Sequence, residues 1–182
     1  MKEIVLKLAR AAISESLGLK YNLSLAATLQ ENPWLNDEGA VFVTLTEDGE
    51  LRGCIGSLVA YRKLYEDIIY NARSAAFHDP RFSAMSQEEL HDIVIEVSIL
   101  SQPQRLDYDN VDDLKKKIKK NYDGIVLQSG ENHATFLPQV WEQLPTFELF
   151  FSHLCQKAGM QENCLDSHPQ ISVYSVQKYK ES

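Results

Sequence analysis

The chain has 182 residues, 44% of them apolar and 24% charged, with a formal net charge of −8. That is the balance of a globular chain long enough for one sizeable core, burying about 70% of its unfolded surface. The acidic excess argues against nucleic acid, where basic side chains on phosphates supply the affinity, and against anionic membrane surfaces.

In chain order, Ile4, Val5, Leu8, Ala11 and Ala12 fall at helical spacing and Gly18 follows as a C-cap, which predicts a docking helix over 3–17. Residues 19–39 read as a long connection around Pro33-Trp34, with helix or coil at 23–29 and Trp34 plugging the core. Ala40–Thr46 is an unbroken β-branched and aromatic strand, and Asp48-Gly49 supplies the turn of a hairpin. Leu64, Ile68, Ile69, Ala72, Ala75 and Ala76 mark a helix over 62–77, ended before Pro80 because the residue preceding a proline leaves the helical region. Ser86-Gln87-Glu88-Glu89 reads as a capping box for a short helix to about His91, and Ile93–Leu100 is a strand. Asn110 opens a helix through Leu114–Lys120, with acids first and lysines last, as the helix dipole favours; its lysine run is a solvated face. Gly124–Gln128 and His133–Leu137 form a second hairpin, and Pro138–Leu144 is a short helix. Phe147, Phe150, Phe151, Leu154, Cys155 and Ala158 line one side of a longer helix capped by Gly159, and Ile171–Val176 is a last strand. Hairpins alternating with short helices predict an α+β fold with mostly antiparallel sheet.

Three cysteines, Cys54, Cys155 and Cys164, form no paired framework, and an odd number suits a reducing compartment. Glu3, Lys7, Arg10 and Glu15 interrupt any signal-peptide core, and no run approaches the roughly 20 apolar residues of a membrane span. A cytoplasmic location is expected.

The least ordinary run is Gly49–Ser57, GELRGCIGS. A two-residue loop at Asp48-Gly49 would set Glu47 opposite Glu50, Leu45 opposite Arg52, Val43 opposite Cys54 and Val41 opposite Gly56. Arg52, Cys54 and Gly56 would then share one face. Gly53 and Gly56 inside a strand need a bulge or a close approach to the backbone. Cys54 reads in two ways: as a nucleophile or ligand-contacting thiol whose thiolate Arg52 stabilises, or as a small buried residue packing on valines.

Glu96 is the second informative residue, a lone charge in the strand Ile93–Leu100. A buried carboxylate needs a partner, and Arg52 or Arg81 is expected to supply it. The pair would either fix the sheet or place a functional carboxylate beside Cys54; partial exposure is the third reading. His78, Asp79 and Arg81 lie together on one turn. His78 would serve as general base for Cys54 with Asp79 orienting it, or Asp79 would cap backbone donors while Arg81 pairs with Glu96 or Asp79. The histidines are scattered, with no CxxC, HExxH, P-loop or GxGxxG, so no metal or cofactor is implied.

LRGCIG, AAFHDPRF (75–82), IEVSIL (95–100), ATFLPQVW (134–141) and LCQKAGM (154–160) stand in the order seen in the AMMECR domain family, which the chain resembles over most of its length, most strongly over 40–175. The resemblance implies a single AMMECR domain over 1–182, with a compact α+β body of two unequal lobes. It carries over to Asp79, Pro80, Arg81 and Phe82, whereas His78 departs from the family's pattern, and relatives often carry a basic residue where His133 stands. The family includes the A component of the AmmeMemoRadiSam gene set. The resemblance therefore implies Memo-like and radical-SAM proteins as pathway partners, without naming a substrate. The expected function is a small enzyme, or enzyme subunit, of a modification pathway, transferring a group at Cys54 and Arg52 with Asp79, Arg81, Glu96 and His78 around them. The alternative is a binding or adaptor domain in which LRGCIG is structural.

Overall fold

A computed structural model describes residues 2–182, the Lys2 side chain excepted. The chain divides into two compact units. The first runs to Leu100 and takes back Gln177–Ser182; the second is Ser101–Val176.

In the first unit, helices α1 (Lys2–Ser16), α2 (Leu25–Glu31) and α3 (Leu64–Phe77) accompany strands β1 (Glu38–Glu47), β2 (Glu50–Gly56), β3 (Arg62–Lys63) and β4 (Ile93–Leu100). The antiparallel hairpin β1–β2 turns at Asp48-Gly49, both at positive φ, as the Asp-Gly pair predicts. The sheet runs β2-β1-β4-β9, with β3 paired to the start of β1; β9 is Val176–Lys180. Val41, Val43, Leu45, Ile95 and Val97 form its fully buried face and pack on α1 and α3 through Val5, Leu8, Ile13, Ile68 and Ala72.

The second unit holds β5 (Gln104–Leu106), α4 (Val111–Lys117), the hairpin β6 (Gly124–Ser129) and β7 (Asn132–Phe136), α5 (Phe147–Lys157) and β8 (Gln170–Tyr174). Its antiparallel sheet has the order β5-β8-β6-β7. The core gathers Leu114, Ile125, Leu127, Trp141, Phe150 and Phe151, with the Trp141 and Phe150 rings stacked at 3.7 Å.

The α+β class with antiparallel sheets is as expected. Three corrections follow. The final strand read as Ile171–Val176 is two strands in different sheets, β8 and β9, separated by Ser175. The short β5 and the two-residue β3 carry too few residues to show a period. Finally, Cys155 and Cys164 are joined in a disulfide, and Cys54 is the free cysteine. The absence of pairing that placed the chain in a reducing compartment is therefore gone. No described helix is long and apolar enough to cross a membrane.

Candidate functional site

The hairpin fixes where Cys54 points, and it does so through a bulge. Glu47 faces Glu50 and Thr46 faces Leu51, but Leu45 then faces Gly53, leaving Arg52 as an extra residue. One inserted residue flips every side chain beyond it. Cys54 thus pairs with Thr44, not Val43, and Gly56 pairs with Phe42, not Val41. The expected shared face of Arg52 and Cys54 is not formed. Thr44 also pairs with Glu96 on β4, so Cys54, Thr44 and Glu96 make one row on the face turned away from α1 and α3.

The two strand glycines are explained by close approaches. A Cβ at Gly53 would overlap the Ala75 carbonyl oxygen of α3, and one at Gly56 would overlap the Phe42 ring. Neither glycine opens room beside the sulfur.

The charges flanking the Cys54 backbone are engaged. The Asp79 carboxylate, with its side chain 1% exposed, accepts from the Cys54 amide at 2.9 Å and from the Arg81 amide, Nε and Nη2 at 2.8–3.1 Å. Arg81 Nη2 also donates to the Cys54 carbonyl at 3.4 Å. The turn after α3 therefore clamps both backbone groups of Cys54 on β2, the terminal strand of its sheet. The Arg81 side chain, and then the amides of Cys54 and Arg81, hold the Asp79 carboxyl well below the usual carboxylate range against the opposing effect of burial. The same pairing raises Arg81.

Arg52 is nine-tenths buried at the bulge. Its Nε donates to Glu89 at 2.6 Å and its Nη2 to the Ser83 carbonyl at 3.0 Å, while Nη1 has no partner among the described residues. Arg52 and the Ser86 amide hold the Glu89 carboxyl below its ordinary value. Glu89 was legible as the last residue of the capping box, and its carboxylate does return to Ser86. Its ion pair with Arg52 was not legible.

Glu96 departs from expectation. It meets neither Arg52 nor Arg81 but Lys178 on β9, at 3.8 Å, with 24% of its side chain exposed. The missing partner sat on the strand the sequence did not reveal. His78 is an exposed C-cap whose amide donates to the Ser74 carbonyl. Among the described residues its ring bonds to neither Cys54 nor Asp79, so the base-and-orienter arrangement is not assembled. His133 is exposed on β7, beside the Glu131 carbonyl. The group bonded to the Cys54 sulfur is the Thr44 hydroxyl, at 3.2 Å, a residue the mistaken register had put on the opposite face. No set of three or more His, Cys, Asp or Glu residues among those described is placed to hold a metal ion.

A β-bulge arginine salted into a capping turn, and a cysteine whose backbone is clamped by an Asp-Pro-Arg turn, define a two-sheet α+β protein built on the LRGCIG hairpin. The chain belongs to the AMMECR1 family, whose model matches residues 6–179. A protein of Methanothermobacter thermautotrophicus is 36% identical over 178 residues, covering 95% of this chain and 89% of its own length. One of Saccharolobus solfataricus is 34% identical over 190 residues, covering 98% of this chain and 81% of its own. The crystal structure of an uncharacterized protein from Pyrococcus horikoshii superposes with a TM-score of 0.79 at 31% identity, over all of this chain and 91% of that one.

Proposed function

We propose that the chain is a binding module in which LRGCIG is structural, presenting the row Cys54, Thr44, Glu96 and Lys178 to a polar ligand or a protein side chain. One observation carries the reading: the charged groups flanking the Cys54 backbone are taken up in structural pairs, Asp79 with Arg81 and the Cys54 amide, Arg52 with Glu89. A cysteine nucleophile is activated by a base within hydrogen-bond reach or by charges that lower its pKa, and among the described residues the sulfur is bonded to neither a base nor a cation. The Thr44 hydroxyl at its sulfur is not a base at neutral pH. The row instead offers a hydroxyl, a carboxylate and an ammonium, the complement of a ligand carrying both donors and acceptors. A binding role also suits the Memo-like and radical-SAM partners that the family resemblance implies.

The group-transfer reading rests on one fact, that Cys54 is a free and partly exposed thiol. A panel of cysteine-directed electrophiles separates the two. The binding module predicts labelling of Cys54 that rises linearly with reagent concentration and is unchanged within twofold by Thr44→Val. Saturable labelling, slowed tenfold or more by Thr44→Val or Glu96→Gln, would establish an enzymatic pocket and overturn the proposal.

A further inference from the structure

Away from the Cys54 row, the outer side of α3 carries a cavity of about 560 Å³, within the range of small-molecule sites. Tyr65, Ile69 and Tyr70 give it an apolar and aromatic wall, and Arg62, Arg73 and His78 give it cationic or protonatable edges. Its one carboxylate, Glu66, is occupied by the Lys63 amide at 3.1 Å and the Tyr65 hydroxyl at 3.3 Å. Arg73 is loosely held, 3.6 Å from Glu15 with both side chains about half exposed, its Nε donating to the Ala12 carbonyl at 3.4 Å.

Arg62 is held very differently. Its guanidinium carbon lies 4.0 Å from the Tyr70 ring centroid and 4.5 Å from that of Tyr61. Its Nη2 donates to the Tyr61 hydroxyl, its Nε stands 3.2 Å from Asp67, and Nη1 has no hydrogen-bond partner among the described residues. Asp67 is fully buried and is itself fixed by the Val41 amide at 2.8 Å and the Ser57 hydroxyl at 2.7 Å, with Asn71 bridging Ser57 and the Val41 carbonyl. A free arginine loses rotamer freedom when it binds an anion; this one has lost it already, and its planar fork is fixed at the rim of an aromatic cavity. Such a fork matches an oxyanion, and the tyrosines match a flat ring.

We infer that this cavity is a second binding site, for a small aromatic molecule bearing a carboxylate or phosphate that pairs with Arg62 while its ring lies against Tyr70 and Ile69. The site is separate from the Cys54 row, so the two proposals stand or fall independently. Protein-observed NMR on the full chain tests it, titrating naphthalene-2-carboxylate and naphthyl phosphate, with 2-naphthylmethanol (ring without charge), acetate and inorganic phosphate as controls. The expected result is saturable shifts confined to the amides of 62–78 for at least one ring-bearing anion, tenfold tighter than any control. Whichever of the two anions binds more tightly identifies the headgroup. Arg62→Gln should weaken binding at least tenfold. Because Arg62 also serves Asp67, the exposed Arg73→Gln, expected to weaken it about threefold, and Tyr70→Ser provide tests that leave the buried network intact. Cys54→Ser should leave binding unchanged. Absence of saturable shifts at millimolar ring-bearing anion, or binding that Arg73→Gln and Tyr70→Ser both leave untouched, would overturn the inference.

Discussion

Asp79→Ala removes a carboxylate that ties the turn after α3 to β2. Two losses dominate, beside that of the Arg81 amide bond at 3.1 Å. The Cys54 amide, bonded at 2.9 Å, is left without its acceptor, which costs about 1–3 kcal/mol for a buried donor. Arg81 loses its partner too, but its side chain is 53% exposed and turns to water, so the ion pair adds at most about 1 kcal/mol. The sum is about 1–4 kcal/mol, and for a chain of this length each kcal/mol shifts the midpoint by about 2–4 °C, so roughly 2–16 °C is expected. Thermal unfolding gives the midpoint, and hydrogen exchange at the Cys54 amide, expected to accelerate at least tenfold, shows that the loss is local. Arg81→Ala keeps the carboxylate on the Cys54 amide and should cost no more than about 1 kcal/mol. The sign with pH follows from the lowered carboxyl of Asp79. The unfolded chain takes up its proton first, so the stabilisation is complete above about pH 4 and is lost as pH falls from there toward the folded value. Asp79→Asn should flatten that part of the acid-stability curve. An Asp79→Ala protein with an unshifted midpoint and an unchanged Cys54 amide, or an Arg81→Ala protein as damaged as Asp79→Ala, would refute the clamp.

Glu89→Gln takes the charge from beside a nine-tenths-buried Arg52, which keeps the Ser83 carbonyl, and should cost up to about 3–5 kcal/mol in denaturant unfolding, whereas Glu96→Gln, at a 3.8 Å pair whose Lys178 is half exposed, should cost under about 1 kcal/mol. Gly53→Ala drives a methyl into the backbone oxygen of Ala75, which only a shift of α3 relieves, so its melting temperature should fall well below that of Gly56→Ala, where the Phe42 ring swings away. Thiol titration in denaturant should find one thiol before reduction and three after it. Opening the nine-residue Cys155–Cys164 link by Cys155→Ala with Cys164→Ala should cost about 3 kcal/mol.

Much of the fold was legible because its elements carry their own periods and punctuation. Ile93–Leu100 was read to the residue, and the Asp48-Gly49 turn, with positive φ at both positions, was read from two residues alone. What failed was long range. Ser175 reads as the interior of a strand and is a crossing from one sheet to another, a fact that depends on which sheet has an edge free to receive Val176–Lys180. The Cys155–Cys164 bond likewise needs α5 and the following turn in place before the two thiols meet.

The site was misread through one residue. A hairpin register counted from its turn is reliable only while the strands stay regular, and Arg52 breaks that regularity, so every partner assigned beyond it was wrong by one. The bulge has a physical cause in the same stretch: Arg52 leaves the ladder and reaches Glu89 and the Ser83 carbonyl, and the strand must kink to let it. Gly53 then follows at once, because the kinked strand meets the last turns of α3 with no room for a side chain. Asp79 and Arg81, just past the end of that helix, close on the amide and carbonyl of Cys54, the next residue along. LRGCIG and AAFHDPRF, 25 residues apart at Cys54 and Asp79, are in this way two halves of one joint between the edge of a sheet and the helix beside it. The residue types that look like catalytic machinery, a cysteine with arginines, an aspartate and glycines around it, are those a helix–strand joint also requires. The sulfur stands outside that joint, on the Thr44 face, where it takes no part in holding helix and strand together.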